Sequence, residues 1–157
     1  MDNSLEEYLA VLNQPERALF TPVADFAFSL GYRARRDKTR DLNFSFLHRQ
    51  VKPLILRYSI LRGRPVIRLK FFAAGTYSRF FEDALKTTIE EYEFRYTGCY
   101  GCEKCDGSHG YTIRYRDGRE YFRCGLELID LPGLSSAELP ELLDLFRRQH
   151  EFYLGQQ

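Results

Sequence analysis

The 157-residue sequence predicts an α+β domain in which helices pack on one face of a mainly antiparallel sheet. Three observations carry that expectation. Apolar residues recur at helix period near both ends of the chain, they alternate at strand period in the middle, and short turn signals separate the alternating runs. An apolar fraction of 44%, with 13 Phe and 11 Tyr, supplies enough core to exclude general disorder. No linker, internal repeat or low-complexity tract divides the sequence, so a single domain over residues 1–157 is expected.

Taken in order, Asn3 or Ser4 caps a first short helix through Asn13, with Leu5, Leu9 and Leu12 on one face. A second helix follows Pro15, carries Ala18, Leu19, Val23, Phe26, Ala27 and Leu30, and stops at Gly31, with Pro22 expected to split it. Leu42, Phe44, Phe46 and His48 alternate with Asn43, Ser45, Leu47 and Arg49, which is the pattern of a strand. Residues 53–72 repeat the alternation on both sides of Arg62-Gly63-Arg64-Pro65 and read as a hairpin. Thr76 or Ser78 starts a helix to about Tyr92, with Phe80, Phe81, Leu85 and Ile89 facing a core, and Glu93–Thr97 is expected as a brief strand. Asp117-Gly118 joins Tyr111–Arg116 to Arg119–Cys124 as a two-residue hairpin turn, and a final helix follows the capping residues Ser135–Glu138, with a break expected at Pro140.

The four cysteines, Cys99, Cys102, Cys105 and Cys124, lie within 26 residues, in a loop and hairpin spanning about residues 97–126. Two i, i+3 spacings on a Gly-rich loop aim thiols at one point, and a tetrahedral ion takes four donors. That arrangement points to structural zinc, with an iron–sulfur cluster as the alternative, since Cys-x₂-Cys-x₂-Cys also opens a bacterial ferredoxin run although its Cys-Pro ending is missing. His109, four residues past Cys105, is the alternative ligand of a Cys₃His site. A two-residue turn sets cross-strand partners to a sum of 235, pairing Cys124 with Tyr111 and turning its thiol coreward with Ile113 and Phe122.

Charge is segregated along the chain. Residues 1–30 carry one Arg against five acids and residues 71–157 carry ten bases against fifteen acids, whereas residues 31–70 carry twelve bases against Asp37 and Asp41. Pairing residue 61 with 66 sets Arg57 opposite Lys70 and Ser59 opposite Arg68, which makes Arg57, Arg68 and Lys70 candidates for binding an anionic ligand or nucleic acid. Tyr32, Phe44, Phe46 and Tyr58 are available either for base stacking or for the core.

Cys102-Glu-Lys-Cys105-Asp-Gly, the segment Asp117-Gly-Arg-Glu-Tyr-Phe-Arg-Cys124-Gly and the Leu-rich helix after it resemble a group of small uncharacterised bacterial proteins that pair an α+β domain with a cysteine cluster. The resemblance implies the module and no reaction. No nucleophile elbow, phosphate loop or deaminase motif occurs, so a non-catalytic binding or regulatory domain is expected. The acidic, amphipathic start lacks a secretory signal pattern and no apolar run approaches bilayer length, so the expected location is cytoplasmic, where thiols stay reduced and available to metal.

Overall fold

A computed structural model of the chain describes residues 5–91, 93–94 and 108–156. Its helices are α1 (Glu6–Leu9), α2 (Gln14–Ser29), α3 (Arg79–Glu90) and α4 (Leu139–Leu154), and a 3-10 turn occupies Phe72–Ala74. Five strands form an antiparallel sheet in the order β1 (Arg33–Arg36), β2 (Phe44–Leu47), β3 (Leu56–Leu61), β4 (Arg64–Leu69) and β7 (Ile129–Leu131). Strands β5 (Gly110–Arg114) and β6 (Glu120–Cys124) make a separate two-stranded hairpin. The α+β class and the antiparallel sheet therefore stand. No helix among the described residues is long and apolar enough to cross a membrane.

The two-residue period divides the sheet into an apolar and a polar face. Ala34, Phe44, Phe46, Leu56, Tyr58, Ile67, Leu69, Ile129 and Leu131 share one face and are buried. Tyr8 of α1 packs on Phe44 and Tyr58 at ring-centroid distances of 6.1 and 5.3 Å, and Phe20 and Phe28 of α2 meet Tyr58 and Phe46. Both central phenols find acceptors: Tyr8 Oη donates to Ser59 O at 2.8 Å and Tyr58 Oη to Phe20 O at 2.6 Å. At the far end of the sheet α3 lies against β7 and β5, and Ser78 N donates to Glu141 Oε2, which ties the start of α3 to the start of α4.

Several local expectations change. Asn13 ends no helix; it accepts from Glu16 N while Glu16 Oε2 accepts from Asn13 N, a reciprocal cap that starts α2. Pro22 does not split α2, because Leu19, Phe20, Val23, Ala24 and Ala27 are buried along one continuous helix, and that packing outweighs the roughly 3 kcal/mol of an interior proline. Pro140 sits in the first turn of α4, where its missing N–H costs nothing. Glu93 and Phe94 stand at φ of 53° and 64° in a turn after α3, so the strand expected from Glu93 does not begin there; its residues 95–97 lie outside the described residues.

Helix α4 docks through a buried polar contact. His150 Nδ1 lies 2.9 Å from Tyr32 Oη and the imidazole meets that of His48 edge to face at 5.1 Å, while His48 Nε2 reaches Leu30 O and its Nδ1 accepts from Gln50 N and Val51 N. Burial, and then the neighbouring His48, hold the His150 pKa below its ordinary 6.5, with Glu151 opposing weakly. A histidine with a depressed folded-state pKa contributes its full stability above its unfolded value and loses it as pH falls from there through the folded one. The urea midpoint is accordingly expected to drop between about pH 7.5 and pH 5.5, with a smaller drop in His150→Phe.

Candidate functional site

The β5–β6 hairpin carries the one cysteine among the described residues. Partners sum to 234 and not 235: Gly110 faces Cys124, Tyr111 faces Arg123, Thr112 faces Phe122 and Arg114 faces Glu120. A two-residue type I′ turn needs positive φ at both central positions, and here only Gly118, at 91°, adopts it. Arg116 joins the loop instead, closed by Tyr115 N to Arg119 O at 2.8 Å and by Asp117 Oδ1 accepting from Arg119 N at 2.9 Å. The one-residue shift reverses the expected facing: Tyr111, Ile113 and Arg123 point inward and are buried, while Cys124, half-buried, shares the opposite face with Gly110, Thr112 and Phe122.

Tyr111 fastens the hairpin to the main sheet. Its Oη accepts from Phe71 N at 2.9 Å, and burial drives its pKa far above that of a free phenol. After Cys124, Gly125 N donates to His109 O at 2.9 Å, so the ladder runs one step beyond β6. The Gly125 backbone presses on Phe72: a Cβ there would fall 2.3 Å from the Phe72 ring and 2.6 Å from His109 O. His109 itself is exposed, stacked on Phe72 at 5.9 Å and edge-on to Phe152 at 5.5 Å. Cys99, Cys102 and Cys105 lie outside the described residues, and among the described ones no group of three or more His, Cys, Asp or Glu gathers at metal-binding distance.

Lys70 does not belong to an open basic face. Only 3% exposed, its ammonium lies 5.7 Å from the Tyr153 ring centroid, with no carboxylate in ion-pair range among the described residues. Burial lowers its pKa to about 8, and the nearby Cys124 thiol opposes that shift. Gln149, also fully buried in this region, accepts from Ala73 N through Oε1, while its Nε2 has no partner among the described residues.

The β3–β4 register also differs from expectation. Arg62 and Gly63, at φ of 52° and 76°, form a two-residue turn, so partners sum to 125: Arg57 faces Arg68 and Ser59 faces Val66. Pro65 is a strand residue, tolerated because it lies beyond the end of β7 and owes β7 no N–H. Each central arginine holds a carboxylate, Arg57 Nε to Asp37 Oδ2 at 3.2 Å and Arg68 Nε to Asp130 Oδ1 at 2.6 Å. Tyr32, Phe44, Phe46 and Tyr58 are core residues and offer no stacking platform. Arg33 and Arg35 on β1 escaped the sequence reading, although buried Tyr32 and Ala34 alternate with exposed Arg33 and Arg35 at strand period.

A cleft of about 620 Å³ lies between the start of α2, the β3–β4 turn and the loop after β7. Pro15, Leu19, Phe20, Pro65, Leu131 and Leu134 line it together with Arg64, Ser135 and Ser136, and Glu16 on its wall is engaged in capping α2. No family model, curated protein or solved structure matches the chain.

Two substitutions probe this region. Lys70→Met is expected to raise unfolding stability at neutral pH by about 1–3 kcal/mol in a denaturant titration, because it removes a buried charge while keeping the aliphatic stem. Gly125→Ala is expected to cost roughly 2 kcal/mol, because the added methyl would overlap both the Phe72 ring and the His109 backbone carbonyl.

Proposed function

We propose that this chain is a non-catalytic cytoplasmic binding or regulatory domain whose C-terminal hairpin is fastened to its cysteine loop by zinc, through Cys99, Cys102, Cys105 and Cys124. The observation that carries the reading is the position of Cys124 in the hairpin ladder. Opposite Gly110, and one residue before the Gly125 N to His109 O bond, it stands where the chain leaves the cysteine-rich segment. Cys105 precedes Gly110 by five residues, a contour of at most ~18 Å, so the fourth thiol is held near the root of the segment that bears the other three.

Four thiolates form a closed site with no open position for water or substrate, which is the chemistry of a structural ion. In this reading four thiols complete the site, and His109, exposed and stacked on Phe72, is not among its ligands. Zinc binding would contribute directly to folding, since the ligands come from separate parts of the chain and no site preforms in the unfolded state.

Protein purified anaerobically under reducing conditions is expected to contain about one zinc per chain by elemental analysis and to be colourless. Visible charge-transfer absorption with iron and sulfide would replace this reading with an iron–sulfur protein. Cys124→Ser should lose metal and melt earlier at matched zinc concentration, whereas His109→Ala should retain it. The reverse pattern, or wild-type protein without metal, overturns the assignment.

A further inference from the structure

The face of the sheet opposite the aromatic core is a charged surface built by strand register. Following the ladder from β1 to β7, Arg35 faces Ser45, Ser45 faces Arg57, Arg57 faces Arg68 and Arg68 faces Asp130, so one row crosses all five strands. Strands lie about 4.8 Å apart, which spreads the three arginines over roughly 14 Å. Arg33 lies on the same face beside Arg35, and Arg64 on the same face of β4 near the turn. Arg33, Arg35 and Arg64 are exposed and make no ion pair among the described residues.

Five arginines against Asp37 and Asp130 leave this face with a surplus of three positive charges on a chain whose net charge is +1. The geometry points to this face as a docking surface for the phosphate backbone of duplex DNA. Complementarity of charge is the argument: a duplex presents one negative charge per roughly 1.7 Å of axis, and guanidinium forks suit phosphate oxygens. The Arg57–Asp37 and Arg68–Asp130 pairs do not block such contact. Partly exposed ion pairs are worth about 1 kcal/mol or less, and each guanidinium keeps further N–H donors beyond the Nε engaged by its carboxylate.

What the face lacks narrows the occupant. Single-strand binding relies on aromatic stacking, and Phe44, Phe46 and Tyr58 all point to the opposite side of the sheet. Selection of RNA relies on groups that reach the 2′-hydroxyl, and the hydroxyl residues of this face, Ser45 and Ser59, are buried. Arginine contacts to phosphate alone give binding without base preference.

The test is fluorescence anisotropy of the full chain with a mixed-sequence duplex DNA across a salt series. Three free arginines predict a log–log slope near −2.7, or roughly a 40-fold loss of affinity between about 50 and 200 mM salt. Arg33→Ala, Arg35→Ala and Arg64→Ala combined should weaken binding at low salt at least tenfold and flatten the slope, and Arg35→Glu alone should act in the same direction if the triple variant melts early. Lys70→Met should bind as the parent does. Binding in Cys124→Ser at a temperature where it stays folded should also persist, which separates this surface from the zinc reading. Absence of binding at low salt, affinity unchanged in the arginine variants, or tighter binding to single-stranded DNA or to duplex RNA overturns the inference.

Discussion

Two buried phenols fix the architecture. Tyr8 and Tyr58 lie where α1, α2 and the sheet meet, their rings 5.3 Å apart, and each spends its hydroxyl on a backbone carbonyl of another element. A tyrosine in a core stabilises through some 150–250 Å² of buried ring surface only if its hydroxyl finds a partner. Because the acceptors are Ser59 O on β3 and Phe20 O on α2, the helices have one lateral position on the sheet at which both bonds form. Strand alternation does the rest: once Tyr58 faces inward, Arg57 and its row must face outward.

Element types were legible in the sequence and cross-strand registers were not. Periodicity located α2, α3, α4 and both hairpins, since each places a long apolar pattern on one face. Strand β1 escaped because three of its four residues are arginines, which a hydrophobicity pattern reads as solvent, and β7 escaped because three residues are too few to display a period. Both register errors trace to turn chemistry. Arg62-Gly63 takes positive φ at both positions although arginine is an unusual residue there, while Asp117 does not although Asp-Gly is the commoner pair. In the second case the Asp117 carboxylate accepts from Arg119 N and that bond draws Arg116 into the loop. One residue of loop then decides which side of the hairpin bears the thiol.

The candidate sites divide in the same way. Cysteine spacing alone proposes a metal-ligand set, because it depends on chain order and not on packing. The basic site depends on packing and was only half legible: Arg57 and Arg68 do share a face, but Lys70 is buried with its ammonium over the Tyr153 ring. Position in the sequence could not distinguish a lysine that continues a ladder from one that ends beneath a helix.

Strand β1 has a consequence unrelated to any ligand. Among the described residues it is an outermost strand of the sheet, and an outermost strand is where another extended chain can add on. Arg33 and Arg35, both exposed, line that margin with like charge, so a second copy approaching edge to edge would bring its own arginines against them. The same side chains that make β1 hard to recognise as a strand are therefore of the kind that discourages edge-to-edge pairing between copies.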